Sequence, residues 1–388
     1  MDINGKNKVI SLLRQQPRSR VELAKSTGLV KSSLTKITQQ LLQDGLIEEL
    51  VEARGGPVRH GGRPETRLKL RAGVNHSLCF YISIEGIICF LIDQTSAVIA
   101  REEVAWDRPG PEPALGVAEL VGLIVQLANT LCAQQGVALS SLKLITVATQ
   151  GKLAQTTGEV HYSQLLRERH VNLTRAITEA TGIEARLYNI AYCSSYRLHQ
   201  LYPAHPSFIA ILLGYGTGVG IAIDNRIMLG PDGTAPEISH ITYSVDGPQC
   251  YCGARGCAET YLTYNAILVE ISRLRTRALV SDHPIAQLDE VNELLQQRDP
   301  VCERVIRQAG RVLGHVLAQL VTLLDVRTVI LNGEVSLFFS VLKEEIEAYL
   351  LQHGDYRFGD SKLTILRELD NQVAFAGLIE LTNEGYTV

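Results

Sequence analysis

The chain has 388 residues, 46% of them hydrophobic and 20% charged, and a formal net charge of −4 at pH 7. That length predicts two or three domains, each with enough apolar residues for a sizeable core. No stretch is apolar for the eighteen or more residues of a membrane span, and the polar start MDINGKNK lacks a signal-type segment, so the expectation is a cytoplasmic protein without membrane insertion.

The net charge hides an asymmetry. Residues 1–71 carry 14 Lys and Arg against 7 Asp and Glu, about +7, whereas the remainder carries 23 against 34, about −11. The first segment suits a polyanion, and the acidic body does not.

Taken in order, NKVISLLRQ places Val9, Ile10, Leu12 and Leu13 on one helical face, with Pro17 after its end. In the following RVELAKSTGLVKSSLTKITQQLLQDG, Leu23 and Ala24 sit where the first helix of a helix-turn-helix needs core contacts. Gly28 falls at the turn, and Leu34, Ile37 and Leu41 line the inner face of the second helix. The opposite stripe carries Ser32, Lys36 and Gln40, with Lys31, Ser33 and Thr35 near the helix start. Small polar and cationic side chains placed so can reach base edges and phosphates in a major groove of double-stranded DNA. Residues 46–51 and 66–70 read as paired strands flanking RGGPVRHGGRPE, a wing in which Arg63, between Gly62 and Pro64, can extend into a narrow minor groove.

From about Asn75 the pattern alternates between strands and helices, which is α/β. SLCFYISI and IICFLID read as paired buried strands, VAELVGLIVQLANTLCAQQ as a long helix, and LKLITVATQG as a strand ending at glycine. TRAITEATG is helical, EARLYNIA is a strand running into a helix, and FIAILLGYGTGVGIAID is strand-turn-strand. VIRQAGRVLGHVLAQLVTLLD is a long helix before the strand TVILNG, and AFAGLIELTNEG is a C-terminal helix. No internal repeat stands out.

One short region concentrates chemistry. Cys250, Cys252 and Cys257, with His240 ten residues upstream, supply three thiols and an imidazole, the donor set of a closed structural zinc site. Gly253 and Gly256 allow the tight path that brings three sulfurs to one ion. Cys79, Cys89, Cys132, Cys193 and Cys302 sit in apolar surroundings and read as buried reduced thiols.

Glu237-Ile238-Ser239-His240 followed by CYCGARGC-Ala-Glu resembles the signature of ROK proteins, the bacterial repressors, open reading frames and sugar kinases. The resemblance is densest here and runs from about residue 75 to the end, while the first seventy residues look like the DNA-binding arm of the repressor branch. It implies an N-terminal winged helix-turn-helix over 1–71, followed by a two-lobed actin-like, RNase H-like fold with a ligand cleft. The first lobe would span 72–188 with the C-terminal helix 370–388, and the second 189–369 with the zinc motif. Val30 departs from the family, which usually has a capping Ser or Thr there.

Against the family's kinases, the first phosphate loop, Asp-x-Gly-Gly-Thr, is here Ser83-Ile84-Glu85-Gly86-Ile87, which sets a carboxylate against a phosphate. The segment from Gly216 to Gly220 either binds an anion or makes a tight turn between strands. The family's catalytic base is the aspartate of Asn-Asp-Ala-Asn, and this chain has Asn189-Ile190-Ala191-Tyr192, with no proton acceptor at Ile190. Glu237, His240 and Glu259 remain, and with Asn189 form the expected ligand site, since carboxylates and a zinc-bound imidazole can hydrogen-bond sugar hydroxyls. Residues 163–171 lack the family's Pro-Asn-Leu sugar loop.

The resulting expectation is a regulator, a repressor of carbohydrate-related genes with no catalytic residues. It would bind an operator as a homodimer or homotetramer and sense a sugar or sugar derivative in a degenerate kinase body. Two alternatives stay open: a bifunctional sugar kinase, and a regulator controlled by a protein partner.

Overall fold

The computed structural model describes residues 3–50, 66–106, 115–281, 283–358 and 363–385. The N-terminal unit comprises α1 (Ile3–Gln15), β1 (Arg18–Ser19), α2 (Arg20–Thr27), α3 (Lys31–Gln43), β2 (Ile47–Leu50) and β3 (Arg67–Leu70). Ser19 and Glu22 form a reciprocal capping box at the start of α2, and Gly28 ends it in the left-handed conformation with φ +70°. By contrast, α3 begins at Val30 with no side-chain cap. Leu23, Leu34, Ile37 and Leu41 join Val9, Ile10 and Leu13 in one core, sealed by Leu68 and Leu70 of a three-stranded sheet of order β1-β3-β2. This is the expected helix-turn-helix with the base of a wing. The wing itself, including Arg63, lies outside the described residues.

The body follows as β4 (Ser77–Ile82), β5 (Gly86–Ile92), β6 (Val98–Ala105), α4 (Val117–Gln134), β7 (Ile145–Thr149), β8 (Lys152–Ala154), β9 (Glu159–Tyr162), β10 (Val171–Asn172), α5 (Leu173–Thr181), β11 (Ala185–Asn189) and α6 (Ile190–Leu201). The second half comprises β12 (Phe208–Leu213), β13 (Thr217–Ile223), β14 (Arg226–Ile227), α7 (Glu259–Leu262), α8 (Tyr264–Leu274), α9 (Pro284–Gln296), α10 (Pro300–Leu324), β15 (Thr328–Asn332), α11 (Phe339–Phe358), β16 (Thr364–Arg367) and α12 (Val373–Gly385).

Two five-stranded sheets repeat one plan. In the first, of order β11-β7-β4-β5-β6, an antiparallel meander β4–β5–β6 is extended by the parallel strands β7 and β11. In the second, of order β14-β13-β12-β15-β16, the meander β12–β13–β14 is extended by the parallel strands β15 and β16. The repetition lies in topology, which is why no repeat shows in the residues.

Helices α4 and α5 cover the outer face of the first sheet, and α8, α10 and α11 that of the second. Among the described residues α4 alone is long and apolar enough to pass for a membrane span, but Leu120, Ile124, Leu127, Ala128, Leu131 and Cys132 bury its apolar face on the first sheet. Helices α6 and α12 pack on each other between the sheets, α12 against β4 and β7, α6 against β12 and β13. The C-terminal helix thus packs on the first sheet. The third strand β6 and the small antiparallel flap β8–β9–β10 are additions that the hydrophobic pattern did not predict.

The glycine segment turns at its very start: Gly214 N–H donates to the Gly216 carbonyl at 3.1 Å, and strand β13 begins at Thr217. Gly218 and Gly220 lie within that strand, where a side chain would overlap Ala191 and Ser195 of α6. Their smallness sets the spacing of α6 and the second sheet. Gly220→Ala should therefore force α6 outward and destabilise the body by about 1–3 kcal/mol, read by urea unfolding of the full chain.

Candidate metal centre and ligand cleft

Between β14 and α7 the chain forms a knuckle. Cys250 N–H donates to the Ala254 carbonyl at 2.8 Å and Gly253 N–H to the Cys250 carbonyl at 3.0 Å, closing a turn that carries two of the thiols. Gly256 has φ +66°, and a Cβ there would overlap the Ser244 carbonyl, so only glycine permits the crossing that presents Cys257 to the same point. His240 Nδ1 lies 3.7 Å from Cys250 Sγ, Cys252 Sγ lies 3.7 Å from Cys257 Sγ, and all four donor atoms fall within 4.8 Å of one another. Metal–sulfur bonds of about 2.3 Å at tetrahedral angles put sulfurs about 3.8 Å apart, so these separations fit a four-coordinate ion. Burial lowers the His240 pKa and favours the neutral imidazole that ligation needs. The four residues form a Cys3His cluster whose geometry can hold a metal ion.

The remaining ring nitrogen already has a partner inside the knuckle. His240 Nε2 lies 3.3 Å from the Tyr251 hydroxyl. Tyr251, wedged between two cysteines, in turn stacks on Tyr162 of β9 with ring centroids 6.1 Å apart. The metal cluster therefore holds an aromatic side chain that reaches across to the flap.

A cleft of about 630 Å³ opens beside the cluster, lined among others by Asn189, Glu237, His240 and Glu259. That volume suits a small ligand. Glu259 opens α7 and is 7% exposed. Its carboxylate accepts the Thr217 N–H at 3.2 Å, yet burial pushes its pKa up to about 7, with the Glu237 charge adding to the rise. Glu237 faces the cleft opening, where the surrounding walls still desolvate it enough to raise its pKa against the Ser239 hydroxyl and the Lys152 charge. Asn189 does a different job: its Oδ1 caps α6 through the N–H groups of Ala191 at 2.8 Å and Tyr192 at 3.4 Å, while Nδ2 donates to the Gly151 carbonyl at 3.1 Å. Sequence reasoning missed Lys152, Tyr162, Arg169 and Tyr251 in the lining. Only Tyr251, by its place inside the cysteine motif, left a sequence signal.

The hairpin Ser83–Gly86 lines another part of the cleft. Glu85 at its tip accepts a hydrogen bond from the Tyr264 hydroxyl of α8 at 2.8 Å, joining the two halves. Glu334 lines the same part, its pKa raised by burial and by the Glu85 charge. Ile190 is 5% exposed and packs with Cys79, Ala148, Cys193 and Leu378 in the core joining α6, α12 and the first sheet.

On the N-terminal unit, Lys31, Ser32, Thr35 and Lys36 are exposed along α3, and Ser33 and Gln40 are half-buried. Gln40 is already engaged, donating to Asp44 at 2.7 Å. Beneath this unit Gln94, 1% exposed, donates through Nε2 to the Leu46 and Arg71 carbonyls at 2.7 and 2.8 Å, and its backbone carbonyl accepts Arg14 Nε at 3.0 Å.

The pattern of the ROK family matches residues 81–384. The chain belongs to the ROK family. It is 26% identical over 364 residues to the N-acetylglucosamine repressor of Escherichia coli O6:H1, covering 92% of this chain and 87% of that one. The crystal structure of a ROK family transcriptional regulator, a homolog of the E. coli MLC protein, superposes with a TM-score of 0.77 at 22% identity, over 99% of this chain and 97% of that one. A ROK family glucokinase from Streptomyces griseus, in complex with glucose and AMPPNP, shares the fold of the body with a TM-score of 0.61 at 21% identity, over 80% of this chain and 100% of that one. In this ROK protein Cys252→Ala and Gly256→Ala should both lose metal from the cluster of three cysteines and a histidine, measured by elemental analysis of the purified chain, and lower its melting temperature.

Proposed function

We propose that this ROK protein is a sugar-responsive transcriptional repressor: its N-terminal unit binds an operator, and its cleft senses a sugar or sugar derivative. The observation that carries this is the physical continuity between the two. In the cleft, α6 begins at Ile190. Helix α6 grips the second sheet through Ser194 Oγ to Asn332 Oδ1 at 2.9 Å and grips α12 through Arg197 and Glu380 at 2.7 Å. Helix α12 reaches the first sheet through Thr382, whose hydroxyl lies 2.6 Å from that of Thr146. One residue on, Asn383 Nδ2 donates to the Asp93 carbonyl at 3.2 Å and to Ser96 Oγ at 2.8 Å. That turn carries Gln94, which holds α1 and the base of the β2–β3 hairpin, where Leu46 and Arg71 lie side by side. A ligand that favours one spacing of the two halves would shift α6 and α12 and so reorient the DNA-binding unit.

Zinc is the ion proposed for the Cys3His cluster. It closes the knuckle and fixes His240 and Tyr251, and through the 257–259 linkage positions Glu259; its role is structural. Lys31, Ser32, Ser33, Thr35, Lys36 and Gln40 are the proposed operator-facing residues, with Arg63 of the wing. A homodimer or homotetramer would present two such helices to paired half-sites.

The same geometry argues against phosphoryl transfer. The side chain where a kinase of this family holds its base is an isoleucine packed into an apolar core. Glu85 and Glu334 line the end where a triphosphate would lie, and carboxylates there repel phosphate oxygens.

Thermal-shift screening against hexoses, N-acetylhexosamines and their phosphates should identify the ligand by an upward shift. With that ligand, operator release followed by fluorescence anisotropy should need about ten- to a hundredfold more of it for Glu259→Gln, the loss of one charge-assisted hydrogen bond. Lys36→Ala should weaken operator binding by about 1–3 kcal/mol without altering the ligand dependence. Parental behaviour of both variants would overturn the assignment.

A further inference from the structure

A second cluster of metal-binding side chains lies outside the cleft. On β9, Glu159 and His161 are two residues apart and project from one face, while Val160, fully buried, and Tyr162, lining the cleft, project from the other. Strand β10 runs antiparallel to β9, pairing Val171 with Val160 and Asn172 with Glu159. One step further His170 N–H donates to the His161 carbonyl at 3.2 Å, placing the two histidines side by side with ring centroids 5.3 Å apart. His170 holds φ +54°, a left-handed conformation that few residues other than glycine adopt.

We infer that Glu159, His161 and His170 form a second metal site, taking a divalent transition ion such as zinc on the outer face of the flap, with the remaining coordination positions filled by water. The donor atoms fit a shared ion better than they fit each other. Glu159 Oε1 lies 3.3 Å from His170 Nδ1 and 3.8 Å from His161 Nε2, and all three donors fall within 4.8 Å. The 3.8 Å separation is too long for a hydrogen bond. Bonds of about 2.0–2.2 Å from one ion at tetrahedral angles put nitrogen and oxygen donors about 3.4 Å apart, between the two observed values. Two imidazoles with one carboxylate select zinc or a neighbouring transition metal over magnesium or calcium, which prefer oxygen donors.

The position gives the ion a structural consequence. It would pin β9 to β10 across their open face, and the reverse face carries Tyr162, which stacks on Tyr251 and lies under the Arg169 guanidinium at 5.0 Å from the ring centroid. Metal on the outside would thereby steady the aromatic side of the ligand cleft, independently of the Cys3His cluster.

Isothermal titration of Zn2+ into the tag-free full chain, purified with its Cys3His cluster loaded, tests this. The expected result is one further binding event of about one ion per chain, abolished in His161→Gln and in His170→Asn, the second chosen because asparagine tolerates the left-handed backbone. His283→Ala, an exposed histidine elsewhere, should leave the event unchanged, and Mg2+ and Ca2+ should produce none. Because the two variants alter different segments of the flap, misfolding of one leaves the other to decide. Absence of the event in the parent chain, or its survival in a folded variant, would overturn the inference.

Discussion

The close packing of α6 against α12 is the constraint on which the rest of the structure depends. Each sheet has one face covered by its own helices, and these two helices fill the space between the opposite faces. Small residues make the approach possible: Gly218 and Gly220 admit α6 to the second sheet, and Gly377 brings α12 against the Cys193 backbone. An interface packed this tightly tends to change between discrete arrangements rather than deform continuously. That property makes it a suitable relay, because a small change in the spacing of the sheets must be passed on at the ends of the helices. One end opens on the cleft at Asn189 and Ile190, and the other presses through Asn383 on the turn that carries the N-terminal helix-turn-helix unit.

On the proposed reading, the cleft of a kinase fold serves as a sensor. What remains is the half that would recognise a hydroxylated ligand: Glu237 and Glu259, braced by a metal knuckle whose Tyr251 extends to the flap. On that reading the half that would handle phosphate is given up, and Glu85 accepts a hydrogen bond from Tyr264 of the other half at 2.8 Å. Ile190 contributes apolar packing to the α6–α12 core at the position where a kinase of the family keeps its base. Membership of the ROK family and likeness to a repressor and a regulator agree with that reading.

Much of this was legible in the residues because the relevant partners are close along the chain. The helix-turn-helix showed in the offsets of Leu23, Gly28, Leu34, Ile37 and Leu41, and all the apolar ones joined one core. The metal cluster showed because its ligands fall between His240 and Cys257. The flap did not show, since β8 to β10 are two to four residues long and too short for a periodic signal. Gln94 carries no signal in the sequence, since its role arises from carbonyls at positions 46 and 71 that only the fold brings near. The segment from Gly216 to Gly220 reads equally as an anion loop or a tight turn between strands, and neither reading anticipates the close approach of Ala191 and Ser195 to Gly218 and Gly220, which only the fold brings together.

The relay runs through Asn383, and one substitution addresses it directly. Asn383→Ala removes the bonds from α12 to the Asp93–Ser96 turn while leaving α3 and every cleft-lining residue in place. Operator release by the ligand identified in the sugar screen, followed by fluorescence anisotropy, is the measurement, with ligand binding checked on the same protein by calorimetry. The relay predicts parental affinity for operator alone and for ligand alone, with the ligand losing most of its power to release operator. Release at the parental ligand concentration would contradict it.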